Sequence, residues 1–339
     1  MTSVSRAGPA ILAAPLLVGC EGVQTAFGGD GAEGARFVSL FTIFLVVAAV
    51  MYVLVMGFLV AAIIRRRTEA THAVEAASHH ETNPLLRTAL LGWTALVVAG
   101  LFVLAVASFL ADRSLARPAR EPQLAIEVTG NQWWWDVTYL SDTPSDNLRT
   151  ANELHLPVGV PVHIRLKSKD VIHSFWVPNL AGKQDLIPGR NNDIVLVPRR
   201  VGLFRGQCAE FCGTQHANMA LTVTVESKAD FTRWWAAQLR PAAAPSNPAA
   251  LAGYQYVTTR ECSACHAIAG TPAGGRIGPD LTHFASRRTI AAGALPMSKG
   301  NLYGWVADPQ SQKPGTKMPT IGLGSRDLHN VVAYLETLK

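Results

Sequence analysis

The chain is short of charge and of cysteine, and both shortages narrow what it does. Only 16% of its 339 residues are charged while 49% are hydrophobic, too apolar a balance for a chain that is soluble throughout. The net charge is +6, yet no long Lys/Arg run and no nucleic-acid motif occurs, so nucleic acid is not an expected partner. Five cysteines are present, an odd count that argues against a simple disulfide framework. They fall as Cys20 alone, Cys208 with Cys212, and Cys262 with Cys265, and two tight pairs suggest metal or cofactor attachment. The length suits two or three domains.

Charge is missing altogether from Phe37 to Ile64 and from Thr88 to Ala111. Each stretch exceeds the ~20 residues that cross a bilayer core and neither shows a polar face, so two transmembrane helices are expected. Residues 1–19 read as a signal peptide: Arg6 supplies the positive region, Ala7 to Val18 the short apolar core, and Leu17-Val-Gly-Cys20 resembles a lipoprotein box with Cys20 as the lipidated residue. Arg65, Arg66, Arg67 and Arg87 between the spans balance Arg36, Arg113, Arg117 and Arg120 outside them, so charge alone does not orient the hairpin. An export signal before the first span, and the Cys262-Ser-Ala-Cys265-His266 cofactor-attachment motif after the second, lead to the expectation that both ends lie outside a bacterial cytoplasmic membrane. His72, His79 and His80 read as solvated loop residues.

After residue 120 the texture becomes short β-rich stretches, among them Leu124–Thr129, Val160–Leu166 and Ala220–Val225, broken by Pro, Gly and Asn turns. This suits an antiparallel sandwich or barrel followed by a helix over Lys228–Leu239. Within it lies Cys208-Ala-Glu-Phe-Cys212-Gly-Thr-Gln-His216-Ala-Asn-Met219, preceded by His173. Thiolates four apart on one loop can aim at one point, and two His and a Met complete a soft and intermediate donor set that favours copper over magnesium or calcium. Two thiolates can also bridge two copper ions. A Cys208–Cys212 disulfide and a Cys₂His₂ zinc site are the competing readings, and Met219 with the distant His173 favours copper.

Residues 241–250 form a Pro/Ala linker, expected to be a semi-rigid, solvated spacer. Cys262-Ser-Ala-Cys265-His266 is the C-x-x-C-H motif of covalent haem attachment, with His266 as the iron ligand. A thioredoxin-like pair would not need His266. The sixth ligand is expected to be a Met or a His; the resemblance of the stretch around Met318 to the Met loop of class I cytochromes c implies Met318 rather than Met297, and His283 and His329 are expected at the surface.

The segment Val171-Ile-His173 with Cys208–Met219, extended through Gly182–Arg190, Gly202–Cys208 and the upstream hairpin, resembles the copper A domain of cytochrome c oxidase subunit II. The likeness runs over roughly residues 35–240. The stretch around Met318 and Gly278-Pro-Asp-Leu281 resembles class I cytochromes c, and so does an expected final helix over Ser325–Leu338. Together the chain resembles subunit II of a caa-type oxidase. That resemblance implies a transmembrane hairpin over 20–120, an all-β cupredoxin-like domain over 121–240 and an all-α cytochrome c domain over 251–339. It implies that Cys208 and Cys212 bridge a dinuclear copper centre, with His173 and His216 as terminal ligands and Met219 and the Glu210 carbonyl as weak ones. The Glu210 side chain would face a magnesium site shared with subunit I, and Trp133 in Gly130-Asn-Gln-Trp-Trp-Trp135 would accept electrons. Trp134 and Trp135 read as packing residues.

The expected partners are subunits I and III and an external donor, either a cytochrome or a quinol-oxidising complex. The expected role is electron input for the reduction of oxygen to water. Input to a copper A-containing nitric oxide reductase, or a stand-alone membrane-anchored carrier, are the alternatives. One departure stands out: the acid that the family carries three residues before Trp93-Thr94 is replaced by Leu90.

Overall fold

A computed structural model describes residues 22–69, 84–115 and 123–339. The expected signal peptide, Cys20, the three loop histidines, Arg117 and Arg120 lie outside the described residues. The chain forms two bodies, residues 36–118 and the remainder.

The first body consists of helices α1 (Ala32–Glu69, which begins in the other body) and α2 (Pro84–Leu115). Both run past the uncharged stretches, because the flanking Arg, Ala and Leu are good helix formers and Pro84 suits a first helical position. Phe58 and Trp93 meet edge to face at 6.0 Å between ring centroids. Elsewhere the apolar side chains point outward on all sides: Leu45, Val53, Phe58, Leu101 and Phe102 are each more than half exposed. Such a surface is stable against lipid and costly against water. Leu90 is one of these exposed apolar residues, so this position offers no acid.

In the second body, five strands form one sheet: β1 (Leu124–Asn131), β2 (Trp134–Leu140), β3 (Leu148–Ala151), β5 (Val162–Ser168) and β8 (Asn192–Leu196), in the order β3-β2-β1-β5-β8. The other sheet is β4 (Glu153–Pro157), β10 (Ala220–Glu226), β9 (Gly202–Cys208), β6 (His173–Trp176) and β7 (Gln184–Leu186), in that order. Alternation sets the register. Ile126 and Val128 of β1 lie opposite Ile164 and Leu166 of β5, all four fully buried, while Glu127 pairs outward with Lys167 at 2.7 Å. A one-residue slip would exchange these two faces. The two inner faces share one apolar core, the arrangement of a β-sandwich. The sequence-predicted helix appears as α3 (Lys228–Gln238), capped by the Ser227 side chain and ending at Leu239. Its Phe231, Trp234 and Trp235 pack around Tyr139.

A second, separate core follows. It is built by α4 (Pro248–Thr259), α5 (Glu261–Cys265), α6 (Lys299–Ala307), α7 (Pro309–Gln312) and α8 (Ser325–Leu335), with a ribbon of β11 (Thr289–Ile290) and β12 (Leu295–Pro296). The ribbon is an addition to the expected all-helical plan. The Pro/Ala linker is less detached than its composition suggests, because the Ala242 amide donates to the Ala269 carbonyl at 3.0 Å and Asn247 already caps α4. His283, expected at the surface, is buried. Its ring nitrogens lie 3.0 Å from the Lys339 and Arg240 carbonyls, tying the chain's end to the start of the linker. His329 is exposed, as expected, and its Nδ1 lies 2.8 Å from the Tyr303 hydroxyl.

Two candidate cofactor sites and the residues between them

The end of β9 and the start of β6 are neighbours in one sheet, which brings Cys208 beside His173 across 35 residues of sequence. From Cys208 the chain loops through residues 209–219 before returning as β10, and two backbone bonds close the loop. The Cys208 amide donates to the Met219 carbonyl at 2.9 Å, and the His216 amide to that of Gly213 at 3.0 Å. Gly213 has φ +114, and a Cβ there would lie 3.0 Å from the Trp133 ring. Only glycine is comfortable at such a point.

The loop converges its donors. The Cys208 and Cys212 sulfurs are 3.7 Å apart, close but unbonded, since a disulfide would need about 2.05 Å. His173 Nδ1 lies 3.9 Å from the Cys208 sulfur, His216 Nδ1 3.6 Å and Met219 Sδ 3.9 Å from that of Cys212, and the Glu210 carbonyl 3.3 Å from that of Cys208. Cys208, Cys212, His173 and Met219 are all buried. Asp170 orients His173 by accepting from Nε2 at 2.8 Å, which leaves Nδ1 facing the sulfurs.

Burial alone would raise the Asp170 carboxyl. Hydrogen bonds from His173, the Gln132 and Val171 amides and Lys317 nevertheless hold it far below its ordinary range. The same contact raises His173 despite its burial. Cys208 is pulled well below an ordinary thiol, first by its hydrogen bond with Cys212 and then by His173, and Cys212 is held up by the proximity of Cys208. A site where one thiol gives up its proton readily, beside a second thiol, two imidazoles and a thioether, fits soft metal ions.

The second site is a cavity of about 470 Å³, within the usual range for a cofactor pocket. Cys262, Cys265, His266, Met318 and Trp305 line it, and Met297 does not. His266 Nδ1 lies 2.7 Å from the Pro279 carbonyl, which leaves Nε2 as the free ring nitrogen. Burial lowers its pKa, which disfavours the protonated ring that could not bind a metal. A Cβ at Gly278 would stand 2.7 Å from this ring, so glycine is needed for the imidazole to sit there. Burial raises the Cys262 thiol. The apolar lining, the paired thiols and the oriented imidazole fit a covalently attached haem.

Trp133, the expected electron acceptor, is enclosed. It is 8% exposed and lines the cavity on the side of the first site. Its indole N–H donates to the Cys212 carbonyl at 2.9 Å. The loop at Gly315 covers its ring, with a Cβ there falling 3.6 Å from it. Trp135 is a core residue as expected, packed on Phe175 and His173. Trp134, the first residue of β2, lines the cavity, on the opposite face of the strand from Trp135. Sequence reasoning also missed Asp170 and Lys313. Asp170 carried a signal in its spacing of three from His173, and Lys313 carried none.

Two apolar helices, a cupredoxin-like β-region and a helical cytochrome-like region define a membrane-anchored electron-transfer protein with its β- and helical regions on the periplasmic side. A family profile described as cytochrome c oxidase subunit II, periplasmic domain, matches residues 136–226, and one described as cytochrome c matches residues 250–339. A cytochrome c oxidase subunit 2 from Alkalihalophilus pseudofirmus is 34% identical over 253 residues, 73% of this chain and 72% of the relative. One from Bacillus subtilis is 30% identical over 266 residues, 73% of each. Among solved structures, the periplasmic domain of cytochrome oxidase subunit II from Bradyrhizobium japonicum is 29% identical, spans 36% of this chain and 96% of that one, and has a TM-score of 0.34. The chain belongs to the cytochrome c oxidase subunit II family and is a subunit of a haem-copper oxidase, associating with other oxidase subunits.

Proposed function

We propose that this chain takes electrons from an external donor at a haem c site and passes them across Trp133 to a dinuclear copper A site and on to haem a of subunit I. The observation that carries this reading is Trp133, which lines the cavity and is hydrogen-bonded to Cys212. A flat, polarisable indole fixed at both sites is a suitable bridge. Once bound, copper and haem supply one-electron redox chemistry; holding and orienting them is the work of the chain. Cys208 and Cys212 would bridge the coppers, His173 and His216 would ligate them terminally, and Met219 and the Glu210 carbonyl would complete the set. Cys262 and Cys265 would carry the haem, with His266 and Met318 as its axial ligands. The Glu210 carboxylate, half exposed beside Lys183, is free to share a magnesium ion with subunit I.

The same reading divides the chain into a signal peptide at 1–19, a two-span hairpin over 20–120, copper and haem domains over 121–240 and 251–339 on the outer side, and a tether at 241–250. Lipidation at Cys20 would add a further anchor. Subunit III and a cytochrome or quinol-oxidising complex are the other partners. Because the cavity loop covers Trp133, a diffusible donor has no access to that indole and must meet the haem region first. Tethering replaces the encounter with an effective concentration in the millimolar range. The experiment is purification of the membrane complex, identification of its large subunit, and a comparison of oxygen with nitric oxide consumption. Oxygen consumption with a subunit I partner is expected. Nitric oxide consumption alone, or a chain extracted from the membrane with no large partner subunit, contradicts the reading.

A further inference from the structure

Between the two candidate sites lies a lysine that neither site uses as a ligand. Lys313 is 2% exposed, and its ammonium donates to three backbone carbonyls: Trp133 at 2.8 Å, Asn218 at 2.7 Å and Ala291 at 2.9 Å. Three acceptors match the three protons of an ammonium. The acceptors come from three separate segments, two in the β-sandwich and one in the helical region. Trp133 is thereby held at both ends, its indole by Cys212 and its carbonyl by Lys313. Asn218 directly precedes Met219 in the donor loop. Ala291 and Ala292 hold φ of 54 and 59, left-handed values that non-glycine residues seldom adopt, and the Ala292 carbonyl accepts from the Ala220 amide at 2.9 Å. A strained turn is thus pressed onto the sandwich where Lys313 sits.

We propose that Lys313 is the positioning residue that locks the haem region onto the copper region and fixes Trp133 between them. An apolar side chain would fill the same room without desolvating a charge, so packing alone does not account for a lysine. Burial pulls its pKa down to about 7, opposed by the nearby Cys212 sulfur, and all three ammonium protons are taken up by carbonyls. The neighbouring contacts are weaker candidates. Lys317 meets Asp170 at 3.0 Å but is 60% exposed, and exposed pairs contribute little. Arg287 and Glu153 are both buried, but they meet only at 3.6 Å, a single loose contact against the three short bonds of Lys313.

The inference rests on the cofactor reading above, so the test separates the two. In the purified complex carrying Lys313→Met, haem c is reduced by a pulse. Its one-electron oxidation is then followed as the copper centre gains that electron. Transfer is expected to slow by about tenfold or more, as misplacement of a bridging group would cause, and to become sensitive to ionic strength. The haem and copper spectra and the rate of haem c reduction by the donor should stay as in the wild type. Amide hydrogen exchange, which needs no cofactor, should rise about tenfold over residues 214–219 and 289–293 and stay unchanged in the β1–β5 core. If Lys313→Met does not accumulate, Lys313→Gln, which keeps two N–H donors, should show the same pattern at about threefold. Unchanged transfer and exchange overturn the proposal. So does a lower Tm with unchanged transfer. A wild-type complex lacking either cofactor spectrum contradicts the cofactor reading instead.

Discussion

The two candidate sites are built in opposite ways. At the copper site the protein brings every donor together itself: strand register places Cys208 by His173, a short closed loop returns Cys212, His216 and Met219, and the donor atoms stand 3.3–3.9 Å from their neighbours. At the haem site the protein supplies walls. Around a cavity of about 470 Å³ it arranges Cys262 and Cys265 on a five-residue helix, and Met318 on a loop after a four-residue one. The first region has a complete core without its cofactor, and the second leans on whatever fills its middle.

The largest expected difference follows directly. Replacing Cys262 and Cys265 with Ser should prevent haem attachment and destabilise the helical region by at least about 4 kcal/mol, the loss of a tightly held group. It should be read as lost helical circular dichroism. Replacing Cys208 and Cys212 with Ser should abolish copper binding yet leave the sandwich's melting transition nearly in place. Equal losses in the two variants would break the comparison.

Next in size, Asp170→Asn keeps the copper ligands and removes the carboxylate that orients His173, so copper affinity measured by competition should fall about 10–100-fold. Haem content should not change. Gly213→Ala places a Cβ 3.0 Å from the Trp133 ring at φ +114 and should cost about 1–2 kcal/mol, detected as a lower denaturant midpoint with reduced copper uptake. The smallest effect is expected at Ala291→Gly. Relief of its left-handed backbone slightly outweighs the added unfolded-state entropy, raising stability by about 0.5 kcal/mol.

The candidate donors were readable in the sequence where they cluster: Cys208 to Met219 lie on one loop and Cys262 to His266 at one short helix, whereas His173 and Met318 come from distant segments. The strands were readable from alternation, as at Ile126 and Val128. What escaped were contacts between distant residues. The enclosure of Trp133 was not readable, because the segment that covers it is 180 residues away. Lys313, in a polar stretch, carried no mark of burial, and His283 gave no hint that two carbonyls enclose it. A lone polar residue reveals its partners only when the fold assembles them. Leu90, by contrast, was readable from its apolar surroundings and stands exposed on α2 as the sequence implies.

The central claim is that one chain holds a dinuclear copper centre and a covalent haem on either side of Trp133. Copper, iron and zinc analysis of the isolated full chain, with its electron paramagnetic resonance spectrum, tests it most directly. The account predicts about two coppers and about one haem iron per chain, with an unpaired electron shared by both coppers. A single copper, or zinc in its place, would contradict it.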